Sequence, residues 1–182
     1  MTKPLEPELI RKLLDYDPDT GALTWKPRTP DMFEDEAHSA EHNCAKWNAR
    51  YSGRETGTPY TGGYLAVGFG GRRFLAHRVA WAFVNGEWPK AQIDHIDGNR
   101  ANNRIKNLRG ADHSSNGANR VAPATNKSGA KGVSWSKKER KWIAHIRVKN
   151  RSLRLGGFHS VEEAASAYAE ASRKHFGEFS RV

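Results

Sequence analysis

Cysteine is almost absent from this chain of 182 residues, which contains only Cys44. A single thiol excludes an internal disulfide, and it also excludes a Cys-x-x-Cys zinc knuckle built within one chain. We therefore expect no structural zinc. A lone cysteine is typical of a reducing compartment, where it most often serves as a small packing residue.

Long apolar runs are also missing from the sequence. No stretch approaches the roughly 18 apolar residues that suggest a membrane-spanning helix. The chain has no amphipathic lysine-rich anchor, and its start does not have the pattern of a secretory signal. We therefore expect no membrane partner.

Acidic residues are outnumbered by basic ones, with 20 Asp and Glu against 30 Lys and Arg, a net charge of +10 and a pI near 9.9. The net charge is −3 over residues 1–60, +5 over residues 61–120 and +8 over residues 121–182. Such an excess is typical of proteins that bind nucleic-acid phosphates. The length and a hydrophobic content of 37% favour one or two domains with small cores.

The segment from Asp94 to Asn116, DHIDGNRANNRIKNLRGADHSSN, combines a carboxylate, an imidazole and several amides. A hard cation such as Mg²⁺ or Mn²⁺ prefers oxygen ligands and keeps several waters, so Asp94 and the amide oxygen of Asn116 can supply its protein ligands. His95 is the natural general base, because its unperturbed pKa of about 6.5 suits deprotonation of water. These are the groups needed to hydrolyse a phosphodiester.

A purely structural loop is the alternative for this segment, because Asn, Asp and Gly are common in turns and DGN and ANN have turn composition. Neighbouring side chains of a regular strand point to opposite faces. If Asp94 and His95 share one site, we therefore expect a loop or a bulge at these two residues.

The steps from His95 to Asn107 and from Asn107 to Asn116 resemble the HNH nuclease motif, also called the ββα-metal or His-Me finger fold, in its phage and homing-type form. The resemblance implies that Asp94 and Asn116 bind the metal and that His95 is the general base. It also implies that Asn107 ties the intervening loop together so that the histidine is oriented. Asparagine at the third position implies one Mg²⁺ or Mn²⁺ ion rather than zinc.

Further polar residues of this resemblance are expected near the scissile phosphate, and His113 and Asn119 are the candidates. With Asn116 and Arg120 they recur at spacings of three and four, which predicts a short helix with these side chains on one face. Asp112 is the predicted cap of that helix. A solvated polar helix face is the alternative for His113 and Asn119.

Basic residues precede the segment and lie within it, where Arg100, Arg104, Lys106 and Arg109 flank the proposed site. His77 and Arg78 stand where the resembling subgroup has a His-Arg pair, and we predict a structural hydrogen-bonding role for His77 and a phosphate contact for Arg78. Arg100 and Arg104 are also predicted to contact DNA, although a solvated surface is the default for each cation alone.

Several short elements are predicted before the segment. Apolar residues at helical spacing, Leu14 included, predict a helix in ELIRKLLDYD, and a strand follows at residues 23–25. Residues 56–74 predict a β-hairpin with its turn at Gly70 and Gly71, and residues 79–84 predict a helix that ends near Gly86.

Residues 30–56 have no strong hydrophobic period, and we predict an ordered polar insertion there. A metal site built from His38, His42 and Cys44 is a weaker alternative, because the sequence offers no evident fourth ligand.

Residues 121–130, VAPATNKSGA, are poor in apolar bulk and predict a linker. Three short β-like runs follow, and then a strongly helical stretch for which Ser160 and Glu163 form a predicted capping box.

This second unit resembles the APETALA-type, or ethylene-response-factor-like, DNA-binding domain in GVSW, KWIAHIR, LGGF, EEAASAYAEAS and FGEFS. The resemblance implies a three-stranded antiparallel sheet that lies in the DNA major groove and is backed by one helix. Transferred by position, the DNA-binding face consists of Lys131, Ser134, Ser136, His145, Arg147, Ser152 and Arg154. Serine at three of these positions and histidine at a fourth depart from the plant pattern, so the base code of the plant factors is not transferred.

The sequence as a whole predicts an α+β protein. We assign an HNH nuclease domain to residues 1–120 (extension 1–55 and ββα-metal core 56–120), a linker to residues 121–130 and the DNA-binding domain to residues 131–182. The predicted activity is that of a metal-dependent endonuclease of phage or mobile-element origin, which nicks double-stranded DNA in the cytoplasm of a bacterial host. We predict a monomer and leave a dimer open. The alternatives are a DNA-binding regulator with a catalytically silent HNH fold and a nuclease that acts on RNA or branched DNA.

Overall fold

The computed structural model describes residues 5–35, 37–122 and 125–182, and the chain divides into two compact units, Met1–Arg109 and Gly110–Val182. Both units mix helices with small sheets, in agreement with the predicted α+β class. Within the described ranges, no helix is long and apolar enough to cross a membrane.

The first unit begins with helix α1 (Pro7–Leu13) and continues into strands β1 (Leu14–Tyr16) and β2 (Leu23–Trp25), which pair antiparallel. Pro7 suits the first turn of a helix, where its missing N–H is not needed. The prediction that Leu14 belongs to the helix is wrong. Leu14 has extended backbone and pairs with Trp25, because its fully buried side chain packs in the core from the first residue of the strand.

Helix α2 (Ala40–Tyr51) lies within the predicted polar insertion, of which Glu36 is outside the described residues. Ser39 caps the helix by accepting a hydrogen bond from the His42 N–H at 3.3 Å. Cys44 is buried and donates its Sγ hydrogen to the Arg28 carbonyl at 3.1 Å. No group of three or more His, Cys, Asp or Glu in the described part of the chain is arranged to hold a metal.

Strand β3 (Glu55–Thr56) pairs with β2 and completes the first sheet. A second antiparallel sheet follows, made of β4 (Thr58–Tyr60), β5 (Tyr64–Phe69) and β6 (Arg72–Leu75). Gly70 and Gly71, with φ angles of 52° and 73°, form the two-residue turn between β5 and β6, and the predicted hairpin is confirmed.

Helix α3 (Ala76–Asn85) ends at Gly86, whose φ of 72° is the left-handed conformation of a helix C-cap, as predicted. The helix buries Val79 against a core that α1, β1, β2 and β5 also build, from the side chains of Ile10, Leu14, Leu23, Val67 and Phe69. This core supports β5 and α3, the two elements that lie beside the site described below.

Strand β7 (Gln92–His95) pairs with β8 (Leu108–Ala111), and helix α4 (His113–Ala118) comes next in the chain. The order of two strands and a helix is the one that the HNH resemblance implies. The division between the two units falls inside β8, so α4 belongs to the second unit.

The second unit continues with β9 (Val133–Ser136), β10 (Lys141–Val148) and β11 (Arg151–Phe158), an antiparallel sheet with β10 in the centre. Helix α5 (Val161–Phe176) packs on one face of this sheet through Ala164 and Tyr168, which contact Val133, Ala144 and Ile146. As predicted, Ser160 caps the helix by accepting a hydrogen bond from the Glu163 N–H at 3.1 Å.

The predicted linker contains a hydrogen-bonded turn. Asn126 Nδ2 donates to the Ala130 carbonyl at 2.7 Å, and Ser128 Oγ donates to the Val133 carbonyl at 2.8 Å. Residues 123–124 of the linker lie outside the described residues. Residues 110–120 belong to the C-terminal unit of the structure, whereas the predicted domain limits of 1–120 and 131–182 stay a prediction.

Gly132 gives a stability prediction for the second unit. Its φ is 71°, and a Cβ there would overlap the Tyr168 ring and lie 2.5 Å from the His145 carbonyl oxygen. We expect Gly132→Ala to destabilise the unit by about 3 kcal/mol, from backbone strain and overpacking together. Gly129→Ala is the matched control, because Gly129 has the same φ of 71° and open space around it. Urea unfolding should show a clearly larger loss for Gly132→Ala than for Gly129→Ala, and equal losses would contradict the packing argument.

Candidate active site

Strand β7 carries both Asp94 and His95, and both residues are buried with 4% exposure. A loop or bulge was expected here if the two side chains share one site, and the structure has a regular strand instead. The side chains have different neighbours: Asp94 binds Arg109, and His95 lies among Tyr64, His77 and Asn103. Both can be buried on a regular strand because protein covers both faces of β7.

Asp94 forms a buried ion pair with Arg109. The Nε of Arg109 donates to Asp94 Oδ2 at 2.9 Å, and Nη2 lies 2.9 Å from the same oxygen. The two side chains are only 5% and 12% exposed, so water screens their charges little. Arg109 was predicted only as one of several flanking cations, and it compensates the charge of the carboxylate that the motif assigns to the metal.

His95 is held by an amide and by two aromatic rings. Its Nε2 lies 3.5 Å from Asn103 Oδ1, the outer limit of a hydrogen bond. The His77 ring stands edge-on to the His95 ring, with centroids 4.9 Å apart, and the Tyr64 centroid lies at 6.0 Å. Burial lowers the pKa of His95, although the hydrogen bond to Asn103 and the nearby carboxylates Asp97 and Asp94 oppose this effect.

Asn103 is a residue that the sequence analysis missed, and it is 3% exposed. The N-terminal strands hold its backbone in place, since Tyr16 Oη donates to the Asn103 carbonyl at 2.8 Å. Gly21, with a φ of 79°, packs on the same backbone, where a Cβ would lie 2.6 Å from the Asn103 carbonyl carbon. The hairpin between β1 and β2 therefore supports the loop that carries Asn103. Three asparagines, Asn99, Asn102 and Asn103, lie between β7 and Asn107, and no local pattern distinguishes the one that contacts His95.

His77 lies in the first turn of α3 and is 4% exposed. Its Nδ1 has no hydrogen-bond partner among the described residues, so the predicted hydrogen-bonding role is not seen at that atom. Burial lowers the pKa of His77 to about 3, and the nearby His95 and Arg78 add to this effect. His77 is therefore a neutral ring at neutral pH, and it packs against His95 and Tyr64.

The low pKa of His77 predicts a loss of stability in acid. The ordinary pKa is 6.5 and the folded value is about 3, so between these pH values the unfolded chain binds a proton that the folded chain does not. Stability should therefore fall as the pH is lowered through this window. His77→Phe keeps a ring and removes the titration, and at pH 4 it should lose less stability than the wild type, by up to about 3 kcal/mol. Urea unfolding at several pH values tests this, and parallel pH curves for the two proteins would contradict it.

Asn107 joins both ends of the loop that follows β7. Its Nδ2 donates to Asp97 Oδ1 at 3.0 Å and to the Asn102 carbonyl at 2.9 Å, and its Oδ1 accepts from the Asp97 N–H at 3.1 Å. Burial raises the pKa of Asp97, but hydrogen bonds from Asn102, from the Asn99 N–H and from Asn107 outweigh it and leave the pKa below its usual value. Asn107 thus has the contacts expected of a loop-fastening residue, and its role in catalysis stays a prediction.

Helix α4 carries the other predicted site residues and is part of the second unit. Asp112 caps it, as predicted, by accepting from the Ser115 N–H at 2.7 Å. His113 is exposed, Asn116 is half-buried and Asn119 is buried with 6% exposure. The helix ends at Ala118, so Asn119, its C-cap, and Arg120 both lie beyond it, and the prediction that they continue its polar face is wrong. The metal-binding and catalytic roles of Asn116 and His113 stay predictions.

The predicted DNA-contacting cations of the first unit have different surroundings. Arg78 donates from Nη2 to the Pro89 carbonyl at 3.0 Å and from Nη1 to the Ala91 carbonyl at 3.3 Å, which fastens the segment after α3. Arg100 donates to the Gly62 carbonyl at 2.7 Å and stacks on the Tyr64 ring, whereas Arg104 is exposed. Their contacts with DNA stay predictions.

Six of the seven residues predicted to read DNA share one face of the second unit's sheet. Ala144 and Ile146 point toward α5, and the alternating residues of β10 point to the opposite face. His145 is paired with Arg154 and Arg147 with Ser152. The six residues on the face away from α5 are Ser134, Ser136, His145, Arg147, Ser152 and Arg154.

Lys131 does not belong to this face. It precedes β9, and its Nζ donates to the carbonyls of Ala118 and Arg181. Burial lowers its pKa to about 8. The transfer by position was wrong for Lys131, because two backbone carbonyls of its own unit hold the ammonium group.

The comparisons with known proteins assign a class to this arrangement. A family model described as HNH endonuclease matches residues 74–118, which run from β6 through α4 and include the Asp-His pair of β7. No solved structure matches the chain significantly.

The chain is 36% identical over 106 residues to Protein 3.8 of Escherichia phage T7, a match that covers 58% of this chain and 87% of the phage protein. This chain therefore belongs to the same family as that phage protein, and its residues 74–118 are an HNH endonuclease domain.

Proposed function

We propose that this protein is a metal-dependent DNA endonuclease in which His95 is the general base. The observation that carries the proposal is the burial of His95 on β7, directly after Asp94 in the chain, where Asn103 and His77 contact its ring. The position of this pair within the segment that matches HNH endonucleases supports the same chemistry.

In the proposed reaction, His95 accepts a proton from the water that attacks phosphorus. The tautomer that carries its proton on Nε2 donates to Asn103 Oδ1, which leaves the lone pair of Nδ1 as the basic position. Asn107 holds the loop that carries Asn103. Asn107 therefore affects the position of His95 indirectly, through Asn103. A positioned general base of this kind contributes about 100- to 10,000-fold to a rate.

Asp94 and Asn116 are the proposed ligands of one Mg²⁺ or Mn²⁺ ion. A carboxylate and an amide supply the oxygen donors that such a cation prefers, and this donor set does not suit zinc. When bound, the ion would stabilise the negative charge of the phosphate and of the leaving 3′ oxygen. Arg109 holds Asp94 through Oδ2, which limits the directions that its carboxylate can take.

The second unit is proposed to bind double-stranded DNA through the open face of its sheet, in the manner of the APETALA-type domains that it resembles. His145, Arg147 and Arg154 lie together on that face and are exposed. Phosphate contacts position a protein on DNA and base contacts give specificity, so this face would supply both affinity and register.

One active centre cuts one strand, so a monomer of this protein would nick its substrate. The phage relative supports a phage or mobile-element origin, and we propose a homing-type enzyme that acts in the cytoplasm of a bacterial host. The expected products carry a 5′ phosphate and a 3′ hydroxyl.

Supercoiled plasmid DNA provides the test. With Mg²⁺ or Mn²⁺ the protein should convert it to nicked circles, and EDTA should abolish the conversion. Tight DNA binding without nicking in either metal would overturn the proposal and favour a DNA-binding regulator, an alternative consistent with the existing ion pair at Asp94. Cleavage of RNA in preference to the plasmid would instead overturn the substrate assignment.

A further inference from the structure

The second unit contains a cleft between α4, the β10–β11 turn and α5, with a volume of about 260 Å³. His113 and Gly117 line it from α4, Arg147 and Asn150 from the sheet, and Tyr168 from α5, while Arg120 follows α4. A cavity of this size lies just below the usual range for drug-sized ligands, so a single phosphodiester group with part of its sugar is the better match.

The lining of the cleft is basic. Arg120 and Arg147 are exposed, and their guanidinium groups have the planar geometry that binds phosphate oxygens through two hydrogen bonds. His113 adds an exposed imidazole, and none of the described lining residues is Asp or Glu. An anion is therefore the class of ligand that this cleft suits.

The shape of the cleft is fixed by contacts within the unit. The backbone N–H of Lys149 donates to Ser114 Oγ at 3.2 Å, which joins the β10–β11 turn to α4. Lys149 and Asn150 have left-handed φ angles of 46° and 64°, so this turn is tight. The two arginines come from elements that this contact holds together, and a preformed site needs less ordering when its ligand binds.

Arg147 connects the cleft with the open face of the sheet. It lines the cleft, and it also belongs to the exposed row with Ser152, Arg154 and His145. We propose that the cleft binds a backbone phosphate of the DNA duplex whose neighbouring phosphates lie along the open face of the sheet. A polyanion can contact both the cleft and the exposed row, in which Arg154 also forms an ion pair with Glu139, whereas a small isolated anion would contact the cleft alone.

The proposal deepens the proposed function and rests on it, because it states where the DNA strand passes in the second unit. His113 and Gly117 lie three residues before and one residue after Asn116 on α4. A phosphate in the cleft would therefore lie within about one helical turn of the proposed metal ligand. The DNA-binding unit would thus guide one strand to the helix that carries part of the nuclease motif.

The test measures binding of a fluorescent duplex by anisotropy in EDTA over a range of salt concentrations, so that no cleavage contributes. Arg120→Ala should weaken binding about 10-fold and reduce the slope of log Kd against log salt by about 1. Arg120→Lys should retain most of the slope, because it keeps the charge. Arg173→Ala is the matched control, since Arg173 is an exposed arginine of α5 that does not line the cleft.

Wild-type affinity and slope for Arg120→Ala, with native circular dichroism, would overturn the proposal. So would an equal effect of Arg173→Ala, or competition by millimolar inorganic phosphate beyond that of chloride at the same ionic strength, which would indicate an isolated anion site. A wild-type protein that fails to nick plasmid but shows the Arg120 effect would remove the nuclease function alone. Normal nicking without the Arg120 effect would remove the cleft alone.

Discussion

His95→Ala should reduce plasmid nicking by about 100- to 10,000-fold while the protein binds DNA as tightly as the wild type. The imidazole is the proposed acceptor of the proton from the attacking water, and alanine leaves no basic group in its place. The neighbouring ring of His77 cannot replace it as a base, because burial lowers the pKa of His77 to about 3. The contact with Asn103 that orients the base is also made by His95 and not by His77. The loss should therefore appear in the rate of cleavage at saturating protein.

The same variant separates a catalytic role from a structural one. Free imidazole added to His95→Ala should restore part of the nicking, because it can enter the space of the missing ring and accept the proton. His42→Ala is the matched control, since His42 is an exposed histidine of α2 in the same unit, and it should nick like the wild type. Nicking at the wild-type rate by His95→Ala would remove the base assignment.

Arg109→Met should destabilise the protein by about 3 to 5 kcal/mol, because it removes the cation that lies 2.9 Å from the buried carboxylate of Asp94. The two side chains are 12% and 5% exposed, and both Nε and Nη2 of Arg109 lie 2.9 Å from Asp94 Oδ2. Burial of one uncompensated charge is far more costly than loss of the attraction between two paired ones. Urea unfolding measures the change, and a loss of less than 1 kcal/mol would contradict the buried pair.

The double variant Asp94→Asn/Arg109→Met makes this prediction sharper. It removes both charges, so it should recover most of the stability that Arg109→Met loses. It should nevertheless fail to nick plasmid, because an uncharged amide replaces the proposed metal ligand. Adding Asp94→Asn to Arg109→Met would thus raise the stability and abolish the nicking. Losses of stability that simply add in the double variant would show that Asp94 and Arg109 are not coupled.

Elements that depend on local signals were predicted well from the sequence. The hairpin turn at Gly70 and Gly71, the end of α3 at Gly86 and the cap of α5 at Ser160 each follow from the conformational preference of one or two residues. Helix α2 was predicted only as polar insertion because its apolar residues form no regular stripe. The helix is held in the unit by contacts with residues that are distant in sequence. For example, the Arg28 guanidinium lies 3.8 Å from the centroid of the Trp47 ring.

The surroundings of the candidate site were less predictable, for a related reason. The spacing of the motif made Asp94, His95 and Asn107 candidates, and their roles stay predictions, but the partners of these residues are set by three-dimensional contacts. Asn103 supports His95 because the β1–β2 hairpin holds its backbone, and no local pattern in the segment indicates that contact. The error at Lys131 has the same origin, since a transfer by position carries over the residue but not the direction of its side chain.

Helix α4 limits where a foreign DNA-binding domain can be joined to such a protein, during evolution or in the laboratory. Its Ala118 is buried with Ile146, Tyr168 and Phe176, all of which lie after residue 120. An isolated helix of six residues has no stability of its own in water. A chimera that joins a foreign DNA-binding domain at residue 121 would therefore lose the packing of α4 and with it the placement of Asn116. The unit boundary before Gly110 keeps α4 with the residues that it packs against, so the segment that must be kept together is longer than the DNA-binding domain itself and includes the last helix of the nuclease motif.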